Sequence, residues 1–80
     1  MNIIWTKDNC SFCLKAKELL ALYGISYEER KLGSGWTKED LLASVPTAKT
    51  VPQIFLWGKY VGGYNDLLKY IEDHGMNTNG

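Results

Sequence analysis

Long apolar runs are missing from this sequence: the longest, such as Leu19 to Tyr23, reach four or five residues, far short of the roughly 20 that a bilayer span needs. An excess of charge of either sign is missing as well. Nine Lys and Arg stand against nine Asp and Glu, with no polybasic stretch, which argues against an electrostatic grip on nucleic acid or on an anionic membrane. Met1-Asn2-Ile3-Ile4-Trp5 passes at once into Thr6-Lys7-Asp8-Asn9, without the apolar stretch and small-residue cleavage site of a secretory signal. A soluble, cytoplasmic chain is expected. Histidine occurs once, at His74, and cysteine twice, at Cys10 and Cys13. Small secreted scaffolds spread several bridges along the chain, whereas one C-x-x-C pair closes too short a loop to brace a fold. Reactivity is the better reading of such a pair. At 80 residues the chain has room for one domain and not for a second, regulatory one.

What is present reads as alternating elements. Asn2-Ile3-Ile4-Trp5-Thr6 is a short, β-branched apolar run, the mark of a buried strand. From Phe12 the period changes: Ala16, Leu19, Leu20 and Tyr23 fall at helical spacing, with Lys15, Lys17 and Glu18 on other faces, and Gly24 sits where a left-handed cap would end the helix. Ile25 to Arg30 alternates as a second strand would, which makes a strand-helix-strand unit with parallel strands. Thr37-x-x-Asp40 is a capping-box variant that opens a short helix through about Ser44, stopped by Pro46. Gln53-Ile54-Phe55-Leu56-Trp57 is the most β-prone stretch, and Gly58-Lys59 separates it from Tyr60-Val61-Gly62, an antiparallel hairpin. After Gly62-Gly63, with Asn65 or a close neighbour as cap, Leu67, Leu68 and Ile71 stripe a last helix. Residues 1–75 then form the domain, and the tail 76–80 is expected to fray. The order is β-α-β-α-β-β-α, a four-stranded mixed sheet with helices on its faces: an α/β, thioredoxin-like arrangement.

The chemistry centres on Asp8-Asn9-Cys10-Ser11-Phe12-Cys13. Cys10 falls at a helix start, where free backbone N–H groups favour a thiolate and bring its pKa below the free value of about 8.5. Lys7 adds positive charge, and Asp8 is the one carboxylate nearby in sequence. Cys13 lies about one turn deeper, placed to resolve a mixed disulfide on Cys10. Ser11 leaves a backbone N–H that proline would remove, and that N–H is expected to point at the Cys10 sulfur. A zinc half-site would need two further ligands, and apart from the cysteines only His74 and carboxylates remain. Pro52, just before a strand, belongs to a tight turn. A cis Val51-Pro52 bond there would turn the Val51 N–H and C=O outward to an extended peptide. Gly62-Gly63-Tyr64-Asn65-Asp66 permits close backbone approach at a helix N-terminus and suits a free α-carboxylate and α-amino group; the alternative is that the glycines only turn the chain and Asp66 only complements the helix dipole. Trp5, Trp36 and Trp57 read as core or loop anchors, and His74 as a complement to the last helix's C-terminus.

Thr6-Lys7 with Cys10-Ser11-Phe12-Cys13, then Thr50-Val51-Pro52, then Gly62-Gly63-Tyr64-Asn65-Asp66, in this order and spacing, resemble the signatures of the short dithiol glutaredoxins over essentially the whole chain. The resemblance implies a glutathione-dependent thiol-disulfide oxidoreductase, acting in electron transport and cell redox homeostasis. It makes Cys10 the nucleophile, Cys13 the resolving thiol and Pro52 a cis proline. Glutathione as co-substrate would lie in a groove formed with Phe12, Thr50, Val51, Pro52 and Gly63, its cysteine paired with the Val51 backbone. Its γ-glutamyl end would meet the Asn65 N–H and the Asp66 carboxylate, and its glycine carboxylate Lys7 and Lys49. The implied partners are glutathione and disulfide-containing proteins such as ribonucleotide reductase, met by a monomer. Two alternatives accompany this reading: a carrier of a [2Fe-2S] cluster held by Cys10 and glutathione, and a redoxin fed by a reductase. The chain departs from the common pattern at Ser11 and Phe12, where relatives often have Pro and Tyr, and this bears on potential and thiol pKa.

Overall fold

Ile4 and Trp5 are neighbours in the sequence, yet both are buried, one on each side of a sheet, because successive side chains of a strand point to opposite faces. The computed structural model describes residues 1–75; the tail expected to fray, 76–80, lies outside the described residues. Seven elements follow the expected order: β1 (Ile3–Thr6), α1 (Ser11–Leu22), β2 (Glu28–Lys31), α2 (Lys38–Ser44), β3 (Gln53–Leu56), β4 (Lys59–Gly62) and α3 (Tyr64–Asp73). They build one mixed sheet in the order β2-β1-β3-β4, with β1 parallel to β2 and antiparallel to β3, and β3 antiparallel to β4.

The sheet separates two cores. Ile4, Ile54 and Leu56 face α1 and α3, which bring Ala16, Leu20, Leu67 and Ile71. Trp5 faces α2 through Leu41 and Val45, with Trp36 and Phe55 at the margin. Trp36 meets the Trp5 ring edge-on, and the Arg30 guanidinium lies 4.4 Å from the Trp36 ring centre and 5.4 Å from that of Trp5, a cation–π cover over the end of this second core.

Three boundaries differ from the sequence reading. Strand β2 begins at Glu28 rather than Ile25, because the Ile25 N–H donates back to the Leu20 carbonyl (2.9 Å) and so completes the end of α1 beyond Gly24, which has φ +68°. Pairing starts only where the Glu28 N–H reaches the Asn2 carbonyl (2.9 Å); Ile25 and Tyr27 alternate because they pack under the α1–α3 layer. The hairpin turn is Trp57-Gly58, with φ +52° and +79°, the doubly positive pattern that matches strand twist, so Trp57 leaves β3 and Lys59 joins β4. Helix α3 is capped at Gly63, with Asn65 already inside it. Thr37 and Asp40 do form the reciprocal box at the start of α2, with bonds of 3.1 and 2.9 Å.

Candidate active site

Asn9 turns the chain between β1 and α1 with φ +56°, a conformation asparagine tolerates. The next residue, Cys10, is therefore extended (φ −121°, ψ 102°) and serves as the N-cap of α1. Its sulfur accepts a hydrogen bond from the Cys13 N–H at 3.1 Å, one of the N–H groups left without an intrahelical partner at a helix start. This donor replaces the expected Ser11 N–H: a cap side chain reaches the amide two or three residues into the helix, not the adjacent one. Cys10 and Cys13 are joined in a disulfide. Cys10 is half-buried and Cys13 buried, at 2% exposure, so an incoming sulfur meets Cys10 first.

The other two motifs converge on this point. The Val51–Pro52 bond is cis, as expected, and the Val51 carbonyl oxygen lies 3.7 Å from the Cys10 sulfur. A β-carbon added at Gly63 would stand 3.6 Å from the Pro52 carbonyl oxygen, so the start of α3 abuts the same turn. Gly62 has φ +122°, and a β-carbon there would collide with the Asp66 carboxylate; only glycine combines that backbone with that neighbour. Asp66 Oδ2 accepts from the Gly63 N–H at 3.0 Å, a structural duty that sequence left as an alternative. Phe12 is 51% exposed and leans on Tyr64, with ring centres 5.9 Å apart. Tyr64 thereby joins α1 to α3 beside the disulfide, although sequence reading gave it no role.

Two recesses meet at Lys7, one beside Val51 and one at the disulfide. An apolar one holds Lys7, Lys49, Thr50 and Val51 in its wall, uniting four of the sequence-picked residues. The other is polar, about 500 Å³, and borders both cysteines together with Asp8, Lys17, Glu29 and Lys31. There the Thr6 hydroxyl donates to Glu29 Oε2 at 2.6 Å and Lys17 Nζ pairs with the same oxygen at 3.2 Å. The Thr6 bond, and after it Lys17, hold the Glu29 carboxyl below its ordinary 4.5 against the opposing effect of burial. Lys31 pairs with Asp8 at 2.7 Å, which raises the Lys31 ammonium above its ordinary 10.5 and occupies the one carboxylate near Cys10 in sequence. The sequence reading gave neither Lys17 nor Glu29 a role here; the spacing of Lys17, one turn after Cys13, was a signal for it, and nothing singled out Glu29.

Among the described residues no group of three or more His, Cys, Asp and Glu is arranged to hold a metal ion. His74 caps the end of α3, its Nδ1 2.9 Å from the Tyr70 carbonyl oxygen, with its ring stacked on that of Tyr70. For a metal–sulfur cluster this chain would offer the Cys10 sulfur, and the remaining ligands would come from outside it. No helix among the described residues is long and apolar enough to cross a membrane.

A family model described as Glutaredoxin matches residues 2–61. Glutaredoxin 3 of Escherichia coli is 36% identical over 64 residues, covering 80% of this chain and 77% of that protein. Hybrid peroxiredoxin hyPrx5 of Haemophilus influenzae is 49% identical over 67 residues, covering 84% of this chain, which spans only 27% of that protein's length. Among solved structures, buckwheat glutaredoxin in complex with glutathione has a TM-score of 0.79 at 24% identity, covering 94% of this chain and 71% of that one; at that identity the likeness is one of fold. The matched span contains both cysteines and the cis Val51–Pro52 bond whose carbonyl lies beside Cys10, and on that ground the chain belongs to the glutaredoxin family, with a Cys-x-x-Cys pair for redox work.

Proposed function

We propose that the chain reduces disulfides with glutathione as reductant. The observation that carries this reading is the half-buried Cys10 sulfur, capped by the Cys13 N–H and 3.7 Å from the Val51 carbonyl oxygen. In the reduced protein the Cys10 thiolate attacks the glutathione sulfur of a protein–glutathione mixed disulfide. The Cys10–glutathione bond forms as the protein–glutathione bond breaks, and the departing protein thiolate takes a proton. A second glutathione thiolate then attacks the bound glutathione sulfur, releasing oxidised glutathione and the Cys10 thiolate. With a protein disulfide, Cys13 attacks the Cys10 sulfur instead, frees the substrate's thiol and leaves the Cys10–Cys13 disulfide.

Glutathione lies extended across the turn, its cysteine paired with Val51 and flanked by Phe12, Thr50, Pro52 and Gly63. Its γ-glutamyl group reaches the Asn65 N–H and Asp66, and its glycine carboxylate reaches Lys7 and Lys49. The solved glutaredoxin–glutathione complex of buckwheat, which shares this fold, supports the choice of co-substrate. Protein disulfides such as that of ribonucleotide reductase are the substrates on this reading, and the cytoplasm, acting as a monomer, its setting. The identity to a hybrid peroxiredoxin favours a peroxiredoxin's disulfide as a further substrate.

The test is a glutathione-coupled assay on wild type, Cys10→Ser and Cys13→Ser. Cys10→Ser abolishes both reactions; Cys13→Ser keeps mixed-disulfide reduction and loses most protein-disulfide reduction. A wild type that draws electrons from a reductase but not from glutathione overturns the proposal.

A further inference from the structure

Beside Val51 the surface holds a half-open apolar pocket of about 130 Å³, walled by Leu32, Leu41, Leu42 and Ala48. Glutathione's glycine has no side chain to fill it, and an apolar cavity of roughly 150 Å³ is large enough for benzene. The pocket also has a charged rim of Lys7, Lys38 and Lys49. Among the described residues the ion pairs are Lys17–Glu29, Arg30–Glu28 and Lys31–Asp8, so none of the three rim ammoniums has a carboxylate partner. An apolar floor under uncompensated positive charge complements a ligand that is aliphatic at one point and anionic just beyond it.

The direction of a bound peptide places that point. With its amino end toward Asp66 and its cysteine opposite Val51, a substrate strand runs antiparallel to residues 48–51, and the residue after its cysteine comes alongside Thr50 and Lys49. We propose that the pocket is a specificity subsite for an aliphatic side chain immediately following the substrate cysteine, with the three lysines receiving a carboxylate next to it. The preferred protein substrates are therefore those whose reactive cysteine precedes an aliphatic and then an acidic residue. The inference rests on the groove described under the proposed function.

The experiment compares mixed disulfides of one reporter thiol with four peptides: γ-glutamyl-cysteinyl-glycine, γ-glutamyl-cysteinyl-leucine, N-acetyl-cysteinyl-glycine and N-acetyl-cysteinyl-leucine. Reporter release by the full chain gives kcat/KM for each. Leucine is expected to exceed glycine about tenfold in both pairs, the effect of partly burying one such side chain. Ala48→Leu, which fills the pocket, brings the ratio toward one. Amidating the leucine carboxylate lowers its kcat/KM severalfold, and Lys38→Gln shrinks that difference. Ratios of one or below in both pairs on the unsubstituted chain overturn the subsite. A γ-glutamyl pair turned over no faster than the acetyl pair overturns the glutathione reading instead, while the leucine-to-glycine ratio still reports on the pocket.

Discussion

Asp66 has one observed duty and, on the proposed reading, a second that differs from it by a charge. Its Oδ2 accepts from the Gly63 N–H, which needs only an acceptor, whereas holding a γ-glutamyl ammonium needs a negative charge. Asp66→Asn keeps an acceptor and removes the charge. Its thermal midpoint should stay near wild type while the Michaelis constant for glutathione rises a fewfold, as expected for an exposed pair. Asp66→Ala removes both, so it should also lose about 0.5 to 1 kcal/mol of stability through the start of α3. Identical kinetics for wild type and Asp66→Asn would leave the carboxylate as a cap alone. At Cys10 the same economy of atoms holds: the amide that caps its sulfur belongs to Cys13, so in the proposed mechanism the residue that resolves the intermediate also supplies the donor that favours the attacking thiolate.

At the scale of elements, the clamp between β1, α1 and β2 has a pH signature. Thr6 is buried at 1% exposure and donates to Glu29 on β2, while Lys17 reaches Glu29 from α1. Because the folded state lowers the Glu29 pKa below 4.5, its contribution is present above the unfolded value and fades as pH falls through the folded one. Thr6→Val should cost about 1 kcal/mol at pH 7, and its gap from wild type should narrow in urea melts below about pH 4. A gap independent of pH would assign the cost to packing. The order of elements was legible in the sequence because helical stripes, the Thr37–Asp40 box and the cis-proline turn act locally. The start of strand β2 was misread because an edge strand of Glu28-Glu29-Arg30-Lys31 has no apolar alternation, its position being set by the Asn2 carbonyl just ahead of β1. The lysine-rimmed pocket was legible only in part for a similar reason: the resemblance paired Lys7 with Lys49, but Lys38 and the apolar wall of Leu32, Leu41, Leu42 and Ala48 join them only once α2 packs on the sheet.

Over the whole molecule, chemistry and closure sit at opposite ends of the sheet. The disulfide lies beyond the C-terminal end of β1, and the β3–β4 turn lies past its N-terminal end, where Ile3 pairs with Phe55. At that far end Asn2 accepts from the Trp57 N–H at 2.8 Å and donates to the Ser26 carbonyl at 3.0 Å, while the Gly58 N–H donates to the Met1 carbonyl at 3.0 Å. The exposed Trp57 ring stacks on Tyr70 of α3. A hairpin tip ordinarily exchanges its amide hydrogens with solvent freely, but this tip is tied to residues 55 or more positions earlier. Its exchange clock should therefore run with the central strand rather than with surface loops. In deuterated water the Trp57 and Gly58 amides should be protected together, and Asn2→Ala should release Trp57 selectively while Gly58, bonded to backbone, stays slow.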